Sequence, residues 1–151
     1  MTIDQMYGEY RWLSNFHLCE VAYEGLLYPS TEHAYQSAKL PDVRMRAVFA
    51  LPGTTLTCGQ AMRLGRTQPE RHRPDWLDVR VGVMYSVNLD KFTRHADLAE
   101  RLVNTYPHEL VEENGWGDQF WGRCNGVGEN HLGLVLMDIR SRLRLILGLG
   151  V

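Results

Sequence analysis

The chain has 151 residues, a formal net charge of −2, 44% hydrophobic residues and 23% charged residues. That length suits one domain able to bury roughly two-thirds of its unfolded surface, and the charge balance excludes a general nucleic-acid coat, which needs many cationic phosphate contacts. No apolar run approaches the ~20 residues of a membrane span, and Met1-Thr2-Ile3-Asp4-Gln5 lacks the basic and apolar regions of a secretion signal, so a cytoplasmic protein with no membrane partner is expected. Residues 17–28 alternate loosely around Glu24-Gly25, which predicts a small N-terminal β-hairpin. A helix follows from Thr31 to about Leu40, with Ser30 or Thr31 as N-cap and Pro29 just outside. A second covers about Val43 to Ala50, before Pro52-Gly53. Thr57-Cys58-Gly59-Gln60 fits a capping box and opens a short helix through Leu64, with Gly65 after it. Asp75 is the expected cap of a long helix from Trp76 to about Phe92, and another helix spans about Ala96 to Thr105, stopped by Pro107. Residues 114–130 read as a Gly- and Trp-rich loop. Asn130 then caps a last helix with apolar positions Leu132, Leu136, Ile139, Leu143 and Leu147. The sum is a mostly helical α+β domain.

The segment Ser30-Thr31-Glu32-His33-Ala34-Tyr35-Gln36-Ser37-Ala38-Lys39 carries the most chemistry. At helical spacing Glu32 and Lys39 fall within about 20° of each other, with Gln36 and Tyr35 between them. Lys39 and Lys91 are the only lysines among sixteen basic residues, so arginine supplies charge elsewhere. Lysine differs from arginine in being able to lose its proton and act as nucleophile or base. Replacing Lys39 by Arg should therefore abolish most activity, whereas Lys91→Arg should be mild. The alternative is a helix-favouring acid and a solvated amine.

Four other segments offer binding chemistry, each with a structural alternative. Trp12 and Phe16 present flat faces for a base and Ser14 and Asn15 can bond its edge, or the four form a core pair and a turn. Glu112 and Asp118 flank aromatic residues in a loop, which suits an acid, a base or a cation stabiliser, or else a Trp-packed loop with solvated acids. Gly126-Val127-Gly128-Glu129-Asn130-His131 resembles an anion cradle at a helix start, or a turn with an Asn cap. Arg63, Arg66, Arg71, His72 and Arg73 cluster around one acid, Glu70, as phosphate ligands or as a solvated face. The cysteines, Cys19, Cys58 and Cys124, are odd in number and scattered, and the histidines show no metal-ligand spacing. No disulfide framework, metal or cofactor is expected.

Taken in order, these segments resemble the NADAR superfamily over almost the whole chain. The resemblance rests on Leu13-Ser14-Asn15-Phe16, Tyr28-Pro29-Ser30-Thr31-Glu32-His33 with Gln36 and Lys39, Gly65-Arg66, Trp76, Lys91-Phe92, Leu110-Val111-Glu112, Asp118 to Trp121-Gly122, and Gly126, Gly128, Asn130, Leu132-Gly133. It departs at Arg123-Cys124-Asn125, where a more Gly-rich stretch is expected, and in the short segment before Trp12. The resemblance implies one N-glycosidase domain over residues 1–151, hydrolysing a bond between ribose and a base or amine. The expected substrate is ADP-ribosylated guanine, as a nucleotide or in DNA, with ribosylamino-pyrimidine phosphates of riboflavin biosynthesis as the alternative. A non-catalytic ADP-ribose reader and a helical interaction domain stand as further classes. Under the resemblance Lys39 is a nucleophile or an electrostatic group, Glu32 its acid/base, and Asp118 or Glu112 a stabiliser of positive charge. Trp12, Ser14, Asn15, Phe16, Tyr28, Trp121, Gly122 and Asn130 would hold the nucleotide, with Arg66 on phosphate.

Overall fold

The computed structural model describes residues 1–150. Two compact units make up the chain, one formed by Asn15–Lys91 and the other by Met1–Ser14 together with Phe92 onward.

The Asn15–Lys91 unit begins with the expected hairpin, β2 (Leu18–Tyr23) against β3 (Leu26–Ser30), antiparallel and paired Val21 to Tyr28 and Tyr23 to Leu26. Its turn uses Glu24 and Gly25 at positive φ. Ser30 ends the hairpin and caps α1 (Thr31–Ser37), its Oγ accepting the His33 amide at 3.2 Å. All seven residues of α1 are buried, so this is a core helix whose polar groups must find partners inside the protein. The chain tightens after Ser37, with Lys39 N donating to Gln36 O at 3.4 Å and Leu40 N to Ser37 O at 3.0 Å. The α-helix therefore ends before the expected Leu40. The second predicted helix divides into α2 (Val43–Arg46) and a 3-10 turn at Ala47–Phe49.

Thr57 and Gln60 form the expected capping box reciprocally, at 3.2 and 2.8 Å, and open α3 (Cys58–Arg66), which packs on α1. Gly65 lies inside this helix rather than beyond it. Helix α4 (Trp76–Arg94) runs slightly past its expected end. At its start the Asp75 carboxylate takes two bonds from Arg73, at 2.6 and 2.9 Å.

In the other unit a 3-10 turn (Gly8–Leu13), α5 (Ala96–Val103) and α6 (His131–Ile146) bury Trp12, Leu98, Leu102, Leu136 and Ile139. Leu147 falls beyond α6 and is exposed. Two-residue parallel pairings join β1 (Thr2–Ile3) to β4 (Glu109–Leu110) and β5 (Glu113–Asn114) to β6 (Arg123–Cys124). The stretch predicted as pure loop thus contains a strand pairing. Among the described residues no helix is long and apolar enough to cross a membrane.

Candidate active site

The expected chemistry of α1 is assembled at its junction with α3. Glu32 is only 6% exposed, and its Oε1 accepts the Gln36 Nε2 at 2.7 Å. Lys39 is 7% exposed, and its Nζ donates to the Gly65 carbonyl at 3.3 Å. The ammonium also stands 5.6 Å from the Tyr35 ring centroid and 5.8 Å from that of Trp76, two rings that meet edge to face at 5.1 Å. An aromatic face attracts a cation through its negative centre. Gly65 links the two polar groups. A Cβ there would lie 2.3 Å from Gln36 Oε1, so only glycine lets α3 approach the amide that holds Glu32 while its carbonyl reaches the amine.

Electrostatics push both groups toward neutrality. Burial raises the Glu32 carboxyl above its ordinary range, against the Gln36 hydrogen bond and the charges of Lys39 and Arg66. Burial lowers Lys39 to about 8, with Glu32 opposing and Arg66 reinforcing the shift. At neutral pH roughly one Lys39 in ten is then an unprotonated amine, against fewer than one in a thousand for an ordinary lysine.

Below this pair sits a polar staple. Ser30 Oγ and His33 Nδ1 are 2.7 Å apart, and His33 Nε2 lies 2.8 Å from the Leu56 carbonyl. A carbonyl only accepts, so the proton is on Nε2 and Ser30 donates to Nδ1. Asn15 is held as firmly. Its carbonyl accepts the Glu32 amide at 3.1 Å, its Oδ1 accepts Asn88 Nδ2 at 3.2 Å, and its Nδ2 contacts Met84 Sδ at 3.3 Å. Asn15 thus positions the first turn of α1. Tyr28, expected as a ligand contact, is fully buried. The Phe16 ring is partly exposed, while its carbonyl faces Cys58 Sγ at 3.5 Å. Of the basic cluster, Arg63, Arg66 and Arg71 are exposed, whereas Arg73 is engaged by Asp75.

The remaining candidates belong to the other unit. Trp12 packs its ring on Phe92, centroids 6.2 Å apart, and carries the Arg101 guanidinium 4.6 Å from its centroid. Arg101 thus covers a ring face of the buried Trp12 side chain. Ser14 follows the 3-10 turn, its amide bonded to the Arg11 carbonyl. Asp118 Oδ1 accepts the amides of Phe120 and Trp121 at 3.1 and 2.9 Å. Asn130 sits at the N-cap position with φ +56°, but its side chain does not cap α6. It accepts the Glu112 amide at 3.0 Å and donates to the Leu110 carbonyl at 2.9 Å. Gly122 is buried, and a Cβ there would lie 2.0 Å from the Glu112 carbonyl. The anion-cradle expectation at α6 fails for a clear reason: the amides of Asn130, His131 and Leu132 donate to the carbonyls of Gly122, Phe120 and Trp121. Glu112 and Trp121 are half-buried, so each keeps a surface that can meet a ligand. Trp121 also packs against Phe120, 4.9 Å away and nearly perpendicular. Within the Gly- and Trp-rich loop, Trp116 was not singled out as a contact residue. Asn114 bonds the Asp118 carbonyl at 2.7 Å and amide at 3.0 Å, and the turn it closes carries Trp116, 72% exposed, at its tip.

Comparison with known proteins places this architecture. A family model described as the NADAR domain matches residues 4–144 and so runs through both units. The chain belongs to the NADAR family. It is 34% identical over 146 residues to an N-glycosidase of Nostoc punctiforme, covering 96% of this chain and 93% of that one. It is 37% identical over 134 residues to a riboflavin biosynthesis protein of Vibrio vulnificus, covering 88% of this chain but 35% of the Vibrio protein, about a third of its length. The NMR structure of YbiA from Escherichia coli superposes with a TM-score of 0.82 at 30% identity, covering 97% of this chain and 85% of that one. The NADAR expectation therefore holds for the family and for the mostly helical α+β fold.

Proposed function

We propose that this NADAR protein is an N-glycoside hydrolase that cleaves a ribose–nitrogen bond, with Lys39 and Glu32 as its catalytic residues. The observation that carries the reading is the Lys39 amine, buried beside Glu32, close to two aromatic rings and held with its proton loosened. Relatives named N-glycosidase support the reaction class.

Breaking the bond sends its electron pair to the departing nitrogen and leaves the anomeric carbon with oxocarbenium character. Glu32, whose burial favours the protonated carboxyl, supplies the proton that the nitrogen needs. The unprotonated Lys39 amine attacks the anomeric carbon. Ring opening gives a Schiff base, and water hydrolyses it to return the amine and release the sugar. Arg66, exposed at the end of α3, supplies a guanidinium for a phosphate on the ribose. Asp118, Asn130 and Asn15 are assigned to shaping backbone, and Phe16, in the same unit as Lys39, to ligand contact.

Two substrate classes fit. Relatives named for riboflavin biosynthesis favour a ribosylamino-pyrimidine phosphate. The exposed Arg63, Arg66 and Arg71 favour the two phosphates of ADP-ribosyl-guanine. Incubating the protein with both, side by side, and scoring released sugar separates the two. Borohydride added during turnover should fix a sugar adduct on Lys39, detectable by peptide mass. Lys39→Arg, which keeps the charge, should lose at least about a thousandfold in kcat. Near-normal turnover by that variant sinks the proposal. Turnover without any trapped adduct would replace amine attack by direct attack of water.

A further inference from the structure

Lys39 is not alone on the Gly65 carbonyl. His72 Nε2 lies 3.0 Å from the same oxygen that receives the Lys39 Nζ at 3.3 Å. Because a carbonyl only accepts, His72 carries its proton on Nε2, and the two lone pairs of the oxygen allow both bonds. The main chain repeats the tie, since the amide of Arg73 donates to the Lys39 carbonyl at 2.7 Å. The segment around His72 is thus fastened to Lys39 twice, through backbone and through a shared acceptor.

We propose that His72 is a positioning residue for Lys39: its imidazole fixes the Gly65 carbonyl at the amine and screens one side of that amine from water. This rests on reading Lys39 as the working amine, and it adds a residue that need not touch substrate. The role requires a neutral imidazole. Two cationic donors converging on one oxygen would repel each other, so protonating His72 would release one of the two bonds. The groups facing the pair are Glu32 from α1, Arg66 from α3, and Glu70 from the turn before His72, while Tyr35 and Trp76 bring their rings to the amine. Burial and the nearby Lys39 charge both hold His72 below its ordinary range, which keeps it neutral through the physiological span.

The test uses the scarcity of lysine. Protein labelled with ¹³C and ¹⁵N in lysine gives side-chain signals from only two residues, Lys39 and Lys91, and their pH titration needs no substrate. In His72→Ala, water reaches the amine and the Lys39 midpoint should rise from about 8 by about half a unit or more. In His72→Gln, whose amide N–H falls near the place of Nε2, the midpoint should stay within about 0.2 unit of the parent. Lys91 should not move in either. With a cleavable substrate, His72→Ala should lower kcat with KM little changed and shift the alkaline limb of the rate profile upward, and His72→Gln should rescue both. A Lys39 midpoint unchanged in His72→Ala overturns the proposal. So does an equal movement of Lys91, which would mark general loosening, or a His72→Gln that behaves like His72→Ala. Because titration and turnover are read separately, loss of the glycosidase reading leaves this test intact, and the reverse also holds.

Discussion

The α1–α3 junction and the segment from Glu112 to Leu132 use carboxylates, amides and glycines in opposite ways. At the junction Glu32 and Lys39 keep their charged groups on side-chain partners or one shared carbonyl, inside a helical frame that needs nothing from them. In the Glu112–Leu132 segment Asp118, Asn114 and Asn130 spend their oxygens and amide groups on backbone, because the chain there has few ladder bonds of its own. Glycine follows the same division. Gly65 admits a side chain, Gln36, whereas Gly122, Gly128 and Gly133 admit carbonyl oxygens, each within 2.2 Å of where a Cβ would sit. A polar residue in a functional family is therefore not by that fact a reacting one: what its atoms hold decides between chemistry and architecture.

That division predicts where substitutions strike. Glu32→Gln removes a transferable proton while keeping the shape, so kcat should fall about 10²- to 10⁴-fold with ligand affinity little altered. An equal loss of affinity would make Glu32 a recognition residue. Gly65→Ala forces Gln36 aside and should cost about a hundredfold in turnover with about 1–3 kcal/mol of stability, read by kinetics and denaturant titration. Gly122→Ala should show the reverse balance: at least about 2 kcal/mol of stability lost, since the Glu112 carbonyl cannot retreat as a side chain can, and a kcat per folded molecule near that of the parent. Asp118→Ala should cost about 1 kcal/mol by freeing two amides. If Asp118→Ala instead abolished turnover at unchanged stability, the architectural assignment would fail.

The last effect expected is a slope with pH. Lys39 and Lys91 both titrate near 8 in the folded chain, Lys91 through complete burial, against 10.5 for a free lysine. Between these values the unfolded chain binds more protons, so stability should rise with pH from about 8 to about 10, by up to about 1 kcal/mol per unit for each lysine. Lys39→Met should roughly halve that slope. A flat or falling stability over this window would show that the amines are better solvated than their burial indicates. Complete burial also revises the expectation for Lys91→Arg. An enlarged head group has no room there, and the substitution should lower stability rather than pass as mild.

Local chemistry was readable in the sequence wherever neighbours in the chain were also neighbours in space. Ser30 as a cap, the Thr57–Gln60 box and the Glu24-Gly25 turn depend on residues within four positions, and all three formed as expected. Gly65 was misread because a glycine after apolar spacing normally ends a helix, whereas here its reason is Gln36 on another helix. Asn130 stands at the N-cap position as expected, but its side chain answers to Leu110 and Glu112 across a long separation, not to the helix it precedes. The two-residue parallel pairings leave no periodicity to detect. Lys39 and Glu32 stood out through composition and spacing, but the approach of His72 to the Gly65 carbonyl is purely tertiary.

The burial of both lysines has an experimental consequence. With Lys39 and Lys91 enclosed, every long cationic side chain on the outside is an arginine. Amine-directed reagents such as succinimidyl dyes, glutaraldehyde and aldehyde sugars therefore meet little at the surface beyond the terminal amino group. A sugar that glycates other proteins indiscriminately would here find few amines, and any mark on a side chain would have had to reach Lys39 or Lys91 inside the fold.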